Sequence, residues 1–134
     1  MLWIEEPILA DRLEHLADLT NTTDTPIQRG ENLWSLTEVE RALNLASSKY
    51  LMLHVAKIGG ATQWLRAPKI ADTYGVKVFS HLYPEISAHL LAPIKNTHYL
   101  EYVDWTKLQF PGHKSPTKNH VFIPDVAGVD LYHD

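Results

Sequence analysis

The stretch from residue 76 to 101 decides the fold: Val76-Lys77-Val78-Phe79-Ser80-His81-Leu82, then Pro84-Glu85-Ile86-Ser87-Ala88-His89-Leu90-Leu91, then His98-Tyr99-Leu100-Glu101. Val76–Phe79 is a short run of β-branched and aromatic residues, the pattern of a buried parallel strand. Pro84 suits the first turn of a helix, and Ile86, Ala88, Leu90 and Leu91 give that helix its apolar content. His98-Tyr99-Leu100 then reads as the next strand. Strand, short helix and strand follow one another with little loop between them.

The same unit recurs toward the N-terminus. Leu2-Trp3-Ile4, Pro26-Ile27-Gln28 and Leu51-Met52-Leu53 read as strands spaced by about one strand-plus-helix length. Asp11 and Glu14 suggest a capping box before a helix with Leu13, Leu16, Ala17 and Leu19 on one face. Ser35 and Glu38 open a second helix, with Leu36, Val39, Leu43 and Ala46 as its stripe. A third helix runs from about Thr62 through Trp64, Leu65 and Ala71 to Tyr74, closed by Gly75. This alternation predicts an α/β fold with a parallel sheet. The pattern stops after Asp104. Residues 109–119, with Pro111-Gly112 and Pro116, read as a loop, and Val121-Phe122-Ile123-Pro124 as a short strand. One domain is expected over residues 1–134, with βα units to 108 and a loop and tail from 109.

Composition excludes several classes of function. The chain of 134 residues is 45% apolar and 21% charged, as in ordinary globular proteins. A net charge of −4 leaves no basic footprint, so a nucleic-acid partner is not expected. No stretch has the apolar length of a membrane span or pairs a basic face with an apolar one. The chain has no cysteine, which removes disulfides, thiolate chemistry and cysteine-based zinc sites. The acidic start, Glu5-Glu6-Pro7, is unlike a signal peptide, and the default expectation is a cytoplasmic protein. A strand at residue 2 reads as a chain that begins in the middle of a larger structure.

In parallel α/β barrels the active site gathers at the C-terminal ends of the strands. Here those ends carry Glu5, Glu31, His54, His81 and Glu101. Any one of them has an ordinary explanation, since a Glu after a strand often caps the next helix and a lone His is often structural. All of them at strand ends point to one mouth. Glu5 and Glu31 are hard oxygen ligands suited to Mg²⁺. His81 has the pKa range of a general base. Glu101, kept protonated by burial, suits a hydrogen-bond donor. His89, His98, His113, His120 and His133 fall outside this register and are read as structural or solvated.

Six blocks resemble, in order, the mandelate racemase branch of the enolase superfamily: Trp3-Ile4-Glu5-Glu6-Pro7, Gly30-Glu31-Asn32, Lys57-Ile58-Gly59-Gly60, Ser80-His81-Leu82, Glu85 to Leu91, and Leu100-Glu101-Tyr102. The resemblance implies a partial (β/α)₈ TIM barrel holding the family's strands four to eight. It implies that Glu5 and Glu31 are Mg²⁺ ligands, that His81 is an acid/base catalyst, and that Glu101 donates a hydrogen bond to the enediolate. The family contains racemases and sugar-acid dehydratases that begin by removing the α-proton of a carboxylate.

Three departures stand out. The family's N-terminal capping domain and first three barrel strands are missing, and with them an Asp metal ligand and a Lys-x-Lys base. The strand-six Asp that orients the catalytic His is replaced by His54, which cannot supply a negative charge and, if protonated, would repel a charged His81. In the muconate-lactonizing branch a Lys base stands there, so His54 is also read as a candidate base or metal ligand. Pro68 falls inside the third helix, where it removes a backbone bond or kinks the chain. Open barrel edges imply self-association or a complementing barrel half. The expected function is thus a fragment of a Mg²⁺-dependent racemase or dehydratase, inactive alone. The alternative is a non-catalytic remnant, or a protein that binds metal or sugar acid and oligomerises through those edges.

Overall fold

The structure is a computed structural model and describes residues 1–105 and, beyond them, 116, 117, 120, 121, 123, 125, 128 and 129. Strands and helices alternate as β1 (Ile4–Glu5), α1 (Leu13–Thr22), β2 (Ile27–Arg29), α2 (Leu36–Asn44), β3 (Tyr50–His54), α3 (Ala61–Thr73), β4 (Lys77–His81), α4 (Pro84–Leu91) and β5 (Thr97–Leu100). The strands form one sheet in the order β1-β2-β3-β4-β5, and each neighbouring pair is parallel. The fold is therefore α/β, a partial TIM barrel. Most of the expected loop at 109–119 and half of the expected strand at 121–124 lie outside the described residues. Within them, Thr117 and His120 form an isolated antiparallel bridge.

The helices cover one face of the sheet, and the core lies between the two layers. Leu51, Leu53 and Val78 meet Val39, Leu43, Trp64, Ala67, Ala71, Leu90 and Leu91 there. Trp64 is fully buried, and its indole N–H donates to the Leu53 carbonyl at 3.1 Å, which fastens α3 to β3. Burying a side chain of this size with its polar atom satisfied is among the larger contributions available to a small core.

The other face is concave. In a flat sheet the first and last of five strands stand roughly 19 Å apart. Here the rings of Trp3, beside β1, and Tyr99, on β5, approach to 5.6 Å between centroids. Phe79 packs against both. Tyr50 and His98 complete an aromatic floor at the N-terminal end of the strands. The sheet is thus curled as in a barrel, with large rings filling its lower interior.

Several local expectations are corrected. Asp11 does not cap α1: the N-cap is Arg12, without a side-chain bond, and Asp11 lies 3.9 Å from the Arg12 guanidinium. The fourth buried residue of α1 is Thr20 rather than Leu19, because its hydroxyl can donate to the Leu16 carbonyl at 2.8 Å. In α2, Ser35 does accept from the Glu38 N–H at 3.2 Å, but the Glu38 carboxylate bonds the Trp34 N–H instead of closing the box. Ala46 lies beyond α2, exposed at φ +50°, and Ala42 takes its place in the stripe. Pro68 does not break α3, which runs unbroken from Ala61 to Thr73. The side chain is buried, and the Pro68 carbonyl accepts from Asn96 Nδ2 at 3.0 Å, so packing and this bond offset the missing N–H. Gly75 follows α3 at φ +67°, the left-handed turn expected of it. No helix among the described residues is long and apolar enough to cross a membrane.

Candidate active site

The parallel register carries the strand ends to one rim. His54 lies opposite His81 in the β3–β4 ladder, and Glu5 lies opposite Gln28 in the β1–β2 ladder. Glu31 enters from the turn after β2, which exists because residue 30 is Gly. Its φ is +133°, and a Cβ there would stand 2.4 Å from the Met52 carbonyl oxygen. Only a residue without a side chain lets β2 lie this close to β3.

Glu5, Glu31 and His81 each offer a ligand atom, and these atoms lie within 4.8 Å of one another. His81 Nδ1 is 3.4 Å from Glu31 Oε2 and 3.1 Å from Glu101 Oε2. Neither approach is aligned as a hydrogen bond, and the nitrogen is buried without a hydrogen-bond partner among the described residues. Glu5 has its pKa raised by burial and by the nearby charges of Glu101 and Glu31, with His81 opposing. Although Glu5 sits on the exposed rim, its ionised form is disfavoured first by partial burial and then by the neighbouring carboxylates. A divalent cation relieves that repulsion, and the oxygen donors of Glu5 and Glu31 fit one.

Glu101 does not have the full burial expected of it, since its side chain is 30% exposed. Its position is fixed instead by the Leu82 N–H, which donates to Oε2 at 2.8 Å. Leu82 and Tyr83 both take left-handed backbone angles, φ +56° and +47°, in the turn that presents this N–H. Tyr83 also packs edge-on against His54, with 5.5 Å between ring centroids.

His54 is buried beside His81, with ring centroids 5.2 Å apart. Its Nδ1 accepts from the backbone N–H of Ala56 at 3.2 Å and of Lys57 at 3.4 Å. With Nδ1 an acceptor, the proton of the neutral ring sits on Nε2. Burial, then the charges of His81 and Lys57, lowers its pKa. Burial thus favours the neutral form of His54, and its Nδ1 faces backbone N–H groups rather than the ligand atoms of Glu5, Glu31 and His81.

Other residues that shape the site stood in the sequence blocks without an assigned role. Glu6 accepts from the Gly30 N–H at 3.0 Å and from Asn32 Nδ2 at 2.7 Å. Asn32 Nδ2 also donates to Glu31 Oε1 at 3.1 Å, and Lys57 Nζ donates to Asn32 Oδ1 at 2.9 Å. Glu31 is thus aimed by a network that ties the ends of β1, β2 and β3 together. The signal for Glu6 was its adjacency to Glu5. Its direction came from a left-handed φ of +35°, which a sequence does not display. Of the remaining histidines, His98 joins the aromatic floor, His89 is half-buried on α4, His120 is exposed, and His113 and His133 lie outside the described residues.

A profile of the enolase C-terminal domain-like family matches residues 1–130. The L-talarate/galactarate dehydratase of Salmonella typhimurium (strain LT2) is 30% identical over 129 residues, which is 96% of this chain and 32% of that protein. An L-talarate dehydratase from Polaromonas sp. JS666, crystallised with Mg and L-glucarate, superposes with a TM-score of 0.92 at 28% identity, covering 100% of this chain and 38% of that one. An enolase from Bradyrhizobium, complexed with magnesium and mandelic acid, superposes at 0.88 with 29% identity, covering 100% and 37%. The chain spans about a third of the length of these relatives.

Proposed function

The chain belongs to the enolase C-terminal domain-like family, and from that premise we propose that its strand-end rim serves Mg²⁺-dependent removal of the α-proton of a sugar acid or other 2-hydroxy carboxylate. What supports the reading is the convergence of Glu5, Glu31, His81 and Glu101 at the C-terminal ends of the strands. Glu5 and Glu31 would hold the ion. When bound, it supplies positive charge against the substrate carboxylate as the adjacent carbon gains electron density.

The protein's own groups divide the remaining work. His81, with a ring nitrogen facing the carboxylates, takes and returns the proton. Glu101, its Oε2 anchored by the Leu82 N–H, would in its protonated form donate a hydrogen bond to the substrate oxygen that gains charge. His54 stands where the family pattern has an acid. As a neutral ring with Nδ1 turned to backbone, it packs beside His81 without stabilising an imidazolium.

We further propose that these 134 residues alone are not sufficient for turnover. They supply two of the three carboxylate ligands in the family pattern and no Lys-x-Lys base, and the curled sheet calls for a complementing barrel half or a second copy. His54 also favours a second reading, in which the rim binds a metal and a sugar acid without converting it. The test is proton exchange in D₂O with galactarate and with mandelate, in the presence of Mg²⁺. The expected result is saturable binding with no deuterium at the α-carbon. Incorporation that disappears in His81→Asn would overturn the claim of inactivity, and no Mg²⁺-dependent binding of either acid would overturn the site.

A further inference from the structure

The Nδ1 of His81, buried between two carboxylates without an aligned hydrogen bond among the described residues, is the feature that proton transfer alone does not account for. We propose that Glu5, Glu31 and His81 form a three-ligand site for a borderline first-row divalent ion, Zn²⁺ or Co²⁺ in preference to Mg²⁺, with His81 Nδ1 as the third ligand. The proposal rests on the reading of Glu5 and Glu31 as metal ligands and adds a nitrogen to them.

Donor chemistry selects the ion. Mg²⁺ is a hard cation that favours oxygen donors in near-ideal octahedral geometry. Imidazole suits Zn²⁺, Cu²⁺, Ni²⁺ and Fe²⁺, and two carboxylate oxygens with one imidazole nitrogen make a three-ligand zinc site with a fourth position open. Geometry agrees. Two ligands each about 2.05 Å from a tetrahedral ion stand about 3.3 Å apart, and His81 Nδ1 lies 3.4 Å from Glu31 Oε2. The three ligand atoms already fall within 4.8 Å of one another, so small side-chain rotations complete the set.

His54 does not take up the His81 Nδ1, because its own Nδ1 is held against the Ala56 and Lys57 N–H groups. Glu31 is oriented on its other oxygen by Asn32, as outer partners commonly orient metal ligands. A bound Zn²⁺ would occupy the lone pair that takes the proton in the proposed reaction. The same residues then hold a metal tightly or move a proton, but not both at once.

The experiment is calorimetric titration of the full chain with Zn²⁺ and, separately, with Mg²⁺, repeated on His81→Asn and Glu5→Gln. Near-UV circular dichroism serves as the check that each variant is folded. One Zn²⁺ per chain is expected. Affinity should fall on the order of tenfold to a hundredfold in His81→Asn, while Mg²⁺ binding in that variant changes less than about threefold. A readout on the unmodified chain guards against a variant that fails to fold: the ¹⁵N resonance of His81 Nδ1 moves on adding Zn²⁺, and Co²⁺ gives the strong visible absorption of a four-coordinate ion. Equal Zn²⁺ affinity in wild type and His81→Asn, or an unmoved His81 Nδ1, overturns the third ligand and assigns the metal to other histidines. Equal Zn²⁺ affinity in Glu5→Gln overturns instead the carboxylate reading beneath it.

Discussion

Glu6 carries a backbone conformation that L-residues avoid, at φ +35°, and a left-handed angle costs roughly 1–2 kcal/mol. Its carboxylate recovers that through the Gly30 N–H and Asn32, since hydrogen bonds to a charged group contribute about 1.5–3 kcal/mol. Asn32 is the shared member, holding Glu6, Glu31 and Lys57 together. Asn32→Ala is expected to cost about 1–3 kcal/mol in urea unfolding. It should also weaken divalent-metal binding about tenfold or more by releasing Glu31. An unchanged metal affinity would mean that Glu31 needs no such guide. His54 makes a separate prediction. Its pKa is lowered from the ordinary 6.5 by burial, by His81 and by Lys57, so folding favours its neutral form. That contribution is complete above the ordinary value and is lost as pH falls through the folded one. The urea midpoint should therefore drop between about pH 7.5 and about pH 5.5, and drop less in His54→Gln. Equal slopes in the two proteins would remove His54 as the cause.

Among the elements, α3 carries the largest single investment in the core. Trp64 and Ala67 are fully buried, and Trp64 bonds the Leu53 carbonyl on β3, the strand that bears His54. Trp64→Ala is expected to cost about 3–5 kcal/mol, read as a lower urea midpoint, and to loosen the β3 end of the rim. A loss below about 1 kcal/mol would mean that α3 packs without it. Pro68 shows the opposite lesson. Helix propensity alone argues for a break, yet the helix continues because the ring is buried and the Pro68 carbonyl takes the Asn96 amide, which also bonds the Val76 carbonyl. Packing energy gathered over a whole helix outweighs one missing backbone bond.

At the scale of the whole molecule, the sheet curls far enough for Trp3 and Tyr99 to meet, yet β1 and β5 are its two edges. Such edges offer unpaired backbone groups to another strand. Leu2, Tyr99 and Trp105 are also exposed, at 69%, 46% and 63%. Light scattering on the size-separated chain should give a mass above the 15.3 kDa of one copy. A monodisperse monomer would show that these edges are closed within a single chain. A discrete oligomer with a strong near-UV aromatic signal would fit closure by a second copy, whereas a broad mixture would fit the need for a complementing barrel half.

The order of strands and helices, and the residues at the strand ends, were legible in the sequence, because period and residue type are local properties. Val76–Phe79 reads as a strand and Pro84–Leu91 as a helix without any neighbour in view, and parallel strands must bring their C-terminal ends to one rim. Distances within that rim were not legible. Whether Glu101 is sealed, whether His54 is charged, and which nitrogen of His81 faces the carboxylates all depend on backbone angles at Glu6, Leu82 and Tyr83 and on N–H groups supplied by Ala56, Lys57 and Leu82. Such angles and partners arise only when separate strands pack together. The sequence alone therefore determined which groups meet, and the tertiary structure decided how they face one another, because orientation is set by contacts between segments far apart in the chain.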